Sequence, residues 1–138
     1  MITTPARPAG TGVPGYAQTF PRTPAAAGRA RSLVSTALSA WGHEELGYAS
    51  LQIVSELVNN AVTHTRSSAI QVVISRERFR VRIGVIDRSL AAPTVRCPDE
   101  NAESGRGLVL VAALSASWGY ERKQWGKVVW AELTGEEK

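Results

Sequence analysis

Residues 69–75 (AIQVVIS) and 79–86 (FRVRIGVI) are two segments rich in Val and Ile, separated by three polar residues, and no other feature constrains the fold as much. Branched side chains of this kind favour extended backbone, and so short a break predicts an antiparallel hairpin with its turn near Arg76 to Arg78. A second pair is expected at 116–121 and 127–133, turning at 124–126. Hairpins of this sort must cover one apolar face, and two amphipathic helices upstream can do so. Across 25–41, Ala30, Leu33, Val34, Ala37, Leu38 and Trp41 recur at spacings of three and four. Thr23 is the expected N-cap, Pro24 suits the first turn and Gly42 is the stop. Across 44–64, at about 100° per residue, Leu51, Val54, Val58 and Ala61 share about 80° of arc. Glu56, Asn59, Asn60, Thr63 and His64 gather opposite them. A strand at 16–20, stopped by Pro21, and a short apolar helix at 107–114 complete the order. The fold class expected is α/β, a two-layer sandwich with a mixed, mostly antiparallel sheet and helices on one face.

With 138 residues the chain fits one domain, expected over 16–134. Residues 1–15 hold three prolines and three glycines with almost no large apolar side chain. They are expected to be a disordered tail, because so little burial cannot offset the entropy of ordering; 135–138 form a short C-terminal tail. No apolar run approaches the roughly 18 residues that span a bilayer, and no signal core opens the chain, so a cytoplasmic protein is expected. A single cysteine, Cys97, cannot close an internal disulfide, and nothing near it marks a nucleophile. The net charge of +4, from 13 arginines and 3 lysines against 12 acidic residues, raises the question of nucleic acid. However, Arg76, Arg78, Arg80 and Arg82 alternate along the hairpin and are expected on one solvated face, and no nucleic-acid-binding signature accompanies them. Trp41, Trp118, Trp125 and Trp130 are expected to pack the core or its edges.

Three places carry polar chemistry. Glu56 and Asn60 lie four apart on the second helix, with His64 one turn further, so their oxygens can share a hydrated Mg²⁺ site or simply face water. Asn favours helices poorly, and two in succession ask for a reason. Asp87 ends an apolar strand beside a 17-residue loop, where a carboxylate can accept from a ligand amino group or cap a turn. Gly105 and Gly107 flank Arg106 just ahead of the short helix, where glycines either let backbone N–H groups approach a phosphate or merely form a turn.

A helix with Glu56-x-x-x-Asn60 and His64, a strand ending in Asp87, a loop, then Gly105-x-Gly107-Leu108 before a helix resembles the ATP-binding fold of DNA gyrase, histidine kinases and related ATPases, the GHKL or Bergerat-fold superfamily. Within it, the short length and the closing WGYERKQWGKVVWAEL look most like the anti-sigma regulatory factor, or serine-protein kinase, branch common in actinobacteria. The resemblance implies ATP and Mg²⁺ as cofactors. It places Asn60 on the Mg²⁺ that bridges the phosphates, Glu56 as general base, His64 near the phosphates or capping the helix, and Asp87 on the adenine amino group. Gly105, Arg106, Gly107 and Leu108 match the hinge of the loop over the triphosphate. The usual D-x-G-x-G is absent, since Arg88, Ser89, Leu90 and Ala91 follow Asp87; Ser89 is a small residue whose hydroxyl can take part of the glycines' role.

The resemblance further implies a Mg-ATP-dependent serine/threonine protein kinase acting as an anti-sigma factor. Its partners would be a sigma factor, which it sequesters, and an anti-anti-sigma protein of STAS type, which it phosphorylates; homodimers are also implied, and direct nucleic-acid binding is not. The missing glycines favour an alternative, a catalytically inactive nucleotide-binding or protein-interaction module that acts by sequestration alone.

Overall fold

The structure, a computed structural model, describes residues 7–8, 14–88 and 102–136, with the backbone course alone for 7–8 and 102–107. Strand β1 (Arg7–Pro8) and strand β2 (Gly15–Pro21) precede helix α1 (Ala26–Trp41). A single 3₁₀ turn, Glu44–Leu46, leads into α2 (Gly47–His64), where the periodicity had predicted one continuous helix. Strands β3 (Ala69–Glu77) and β4 (Arg80–Asp87), helix α3 (Ala102–Leu114) and strands β5 (Ser117–Lys123) and β6 (Gly126–Thr134) follow. Most elements fall within two residues of their sequence expectation, because alternation and the helical repeat are strong in each.

Among the described residues the sheet has six strands in the order β1-β2-β3-β4-β6-β5, and every neighbouring pair is antiparallel. The expected two-layer α/β fold is therefore present, with no parallel pair among the described strands. Arg7 and Pro8, expected in the tail, pair with Ala17 and Tyr16. Ile70, Val72 and Ile74 of β3, Val81, Ile83 and Val85 of β4, and Ala131 and Leu133 of β6 bury one face of the sheet. Ala30, Val34, Ala37 and Leu38 of α1 and Ile53, Val54, Leu57 and Val58 of α2 close over it in one core. Each such Val, Leu or Ile removes roughly 1.5–3 kcal/mol worth of apolar surface from water, so the helices are held to the sheet by burial rather than by propensity.

Helix α1 stops at Gly42, whose φ of 71° is left-handed and whose N–H turns back on Leu38 and Ser39. At its other end the expected Thr23 cap is absent: Ala25 is the N-cap and has no side-chain cap bond, and Thr23 contributes its carbonyl, which accepts from the Ala26 N–H at 3.0 Å.

The arginines of the hairpin do not share a face. The two-residue turn at Arg78 and Phe79 puts Glu77 opposite Arg80 and Arg76 opposite Val81, so Arg76 lies on the helix side of the sheet. There its guanidinium approaches the Trp41 ring at 5.8 Å. Arg80 and Arg82 point to the open face, where Arg82 lies 4.0 Å over the Trp130 ring in a groove of about 470 Å³. Trp41 stacks on Tyr16 at the core's edge, whereas Trp118 and Trp125 are both 39% exposed and so are not core residues. No helix among the described residues is long and apolar enough to cross a membrane.

Candidate functional site

The buried stripe of α2 is wider than the sequence wheel implied: Ser50, Ile53, Val54, Leu57, Val58 and Ala61 are all buried, and Leu51 is only half-buried. This divides the polar face. Asn59 and Thr63 are exposed, and the Thr63 hydroxyl donates back to the Asn59 carbonyl at 2.8 Å. Glu56, Asn60 and His64 are half-buried along one row. Ser55 accepts from Arg31 of α1 at 3.1 Å and so marks the flank that meets α1. At about 100° per residue the row lies roughly 100–180° around from Ser55, on the flank turned away from α1. Helix α3 packs on α2 and β5.

Asn60 offers the sharpest sign of a ligand. Its side-chain oxygen Oδ1 is buried and has no hydrogen-bond partner among the described residues. Burying an amide oxygen without a partner costs roughly 1–3 kcal/mol, so its acceptor capacity suits an incoming cation. No group of three or more His, Cys, Asp or Glu that could hold a metal occurs among the described residues. A Mg²⁺ on Asn60 would therefore draw other oxygens from a phosphate ligand and water, which is its usual habit.

Asp87 closes β4 on the helix side of the sheet and is 1% exposed. It lies within the sheet opposite Lys127 of β6. Thr65, the residue after α2 and 3% exposed, donates its hydroxyl hydrogen to Asp87 Oδ1. That hydroxyl oxygen accepts from the Ser67 N–H at 3.0 Å, and the Thr65 carbonyl accepts from Arg22 at 2.9 Å. Lys127 Nζ stands 3.7 Å from Asp87 Oδ2, with its side chain also largely buried. Gly126, at φ 151°, lets β6 approach this strand end. The C-terminus of α2 thus joins the two halves of the site: His64 ends the polar row, and Thr65 holds Asp87.

Thr65, Gly126 and Lys127 escaped the sequence reading. The position of Thr65 directly after His64 was a usable signal, whereas the role of the other two depends on strand register. The glycine motif differs from expectation more plainly. Gly105, Arg106 and Gly107 lie inside α3, which begins at Ala102, so they are helical rather than a loop ahead of the helix. A stripe of half-buried Leu108, buried Val111 and half-buried Leu114 holds this helix, and that packing outweighs the roughly 1 kcal/mol that each helical glycine costs. Ser89 and most of the expected loop lie outside the described residues. The groove near Trp130 is on the other side of the sheet, and none of the expected site residues lines it.

The two-layer sandwich thus carries a half-buried polar row on α2 and a buried carboxylate at the end of the central strand β4 on the helix side of the sheet. The profile of the histidine kinase-like ATPase domain matches residues 20–133, and the chain belongs to that family. The matched span runs from β2 through β6 and includes Glu56, Asn60, His64, Thr65 and Asp87. Membership implies ATP binding. No curated protein matches the sequence.

Proposed function

We propose that this protein binds Mg-ATP between α2 and the end of β4 and acts in the cytoplasm as an anti-sigma factor with serine/threonine kinase activity. The observation that carries the reading is the buried Asn60 Oδ1, one helical turn from Glu56 and on the same row. Asn60 would hold the metal, His64 would lie near the phosphates, and Asp87 would accept from the adenine amino group. Bound Mg²⁺ would supply charge neutralisation on the phosphate oxygens. Glu56 would take the proton of a partner's serine or threonine hydroxyl as that oxygen bonds to the γ-phosphorus and the bridge to ADP breaks. The partners rest on resemblance to the anti-sigma branch: a sigma factor held by contact, and an anti-anti-sigma protein of STAS type as phosphoryl acceptor.

Transfer of labelled phosphate from ATP to such an acceptor tests the reading. Glu56→Ala should abolish transfer and keep nucleotide binding, and persistent transfer removes Glu56 as base. One observation favours a second reading, sequestration without turnover. Ser89 and Ala91 stand where relatives of this type carry the two glycines of D-x-G-x-G, and the Arg88 guanidinium between them and Asp87 lies over Trp125 at 4.7 Å. ATP binding with no transfer by the wild type to any acceptor would select that reading.

A further inference from the structure

The contacts of Asp87 do more than bury it. The Thr65 hydroxyl has one hydrogen, and it goes to Asp87 Oδ1, while the Ser67 N–H holds the hydroxyl oxygen in place. One carboxylate oxygen is thereby turned to the end of α2 and the other, Oδ2, to β6, where Lys127 lies at 3.7 Å. That separation is an ion pair and too long for a hydrogen bond.

We propose that Thr65 is a positioning residue that sets which purine the site accepts. The inference rests on the ATP-binding reading above. A carboxylate held in one rotation presents a fixed acceptor, which matches the 6-amino group of adenine. Against a 6-keto base it sets acceptor against acceptor, a mismatch in which a buried group loses its partner. Without the Thr65 hydroxyl the carboxylate can rotate and close on Lys127. The site then loses its fixed acceptor, and the ammonium can meet a keto oxygen instead. Thr65 thus separates amino from keto purines without touching either.

The test compares ATP with inosine triphosphate, which carries the keto group at position 6, by calorimetric titration of the full chain in Mg²⁺. Wild type should prefer ATP, and Thr65→Val should lower that preference about tenfold, the size expected for one buried hydrogen bond. Thr65→Ser, which keeps the hydroxyl, should restore it. Should the Val variant fail to fold, Thr65→Cys carries the same test, since a thiol fills the space and donates only weakly. An unchanged ATP-to-inosine ratio in a folded Val or Cys variant overturns the role of Thr65 and leaves the ATP-binding reading standing. A wild type that binds neither nucleotide overturns both.

Discussion

Gly126 lies so close to Asp87 that a Cβ added to it would sit 2.1 Å from the Asp87 carbonyl oxygen. The obstacle is backbone on a central strand, so neither strand can yield cheaply, and the φ of 151° is itself unfavourable for other residues. Gly126→Ala should therefore cost at least about 2 kcal/mol, or a fall in melting temperature on the order of 5–10 °C. It should also weaken ATP binding by displacing Asp87. Thermal unfolding and titration of the one variant read both effects, and an unshifted melting temperature would contradict the close approach.

Asn60→Ala separates binding from stability. The substitution removes an amide whose oxygen has no partner among the described residues and adds a better helix former, so stability should hold or rise by a few tenths of a kcal/mol. Mg-dependent ATP affinity should fall at least about tenfold if Asn60 is the metal ligand. Asn59→Ala, at the exposed neighbour, should leave affinity unchanged. Equal losses in the two variants would remove Asn60 from the site.

The C-terminal segment is tied down by Glu45. Its Oε2 accepts from the Glu136 N–H at 3.0 Å and lies 3.1 Å from His43 Nδ1 in the 3₁₀ region. Glu45→Ala should destabilise the chain by about 1 kcal/mol and speed amide exchange at Glu136 well above that of the β6 interior. Unaltered exchange at Glu136 would show that the bond contributes nothing in solution.

On the open face, Gly119 leaves room for the Trp130 indole, and a Cβ there would meet Cζ2 at 2.6 Å. Gly119→Ala must push the ring, and with it the Arg82 contact, out of place. Tryptophan emission should shift in Gly119→Ala and in Arg82→Ala, with Arg82→Ala costing about 0.5–1 kcal/mol. A spectrum unchanged in both variants would argue against the stacking.

How far the sequence revealed this structure depends on the range of each interaction. The β3–β4 hairpin, α1 and α2 were legible because alternation and spacings of three and four are local patterns. Even so, the division of the α2 polar face was hidden: Asn59 and Asn60 look alike in sequence and differ only because neighbouring elements half-bury one of them. The four hairpin arginines misled for a related reason, since a two-residue turn decides whether Arg76 shares a face with Arg82. The β6 contacts to Asp87 were out of reach, because Lys127 and Gly126 meet it only through the β4–β6 register. Gly105 and Gly107 suggested a loop, and the stripe of Leu108, Val111 and Leu114 overrode them.

Strand β6 lies between β4 and β5, yet it is the last of the described strands in chain order. Asp87 takes its register and its lysine from a segment some forty positions downstream. During synthesis the helix bearing Glu56 and Asn60 leaves the ribosome well before the strand that completes the base-reading corner. Chains halted ahead of Gly126 should not retain ATP on an affinity matrix, whereas release past Thr134 should bring binding on abruptly.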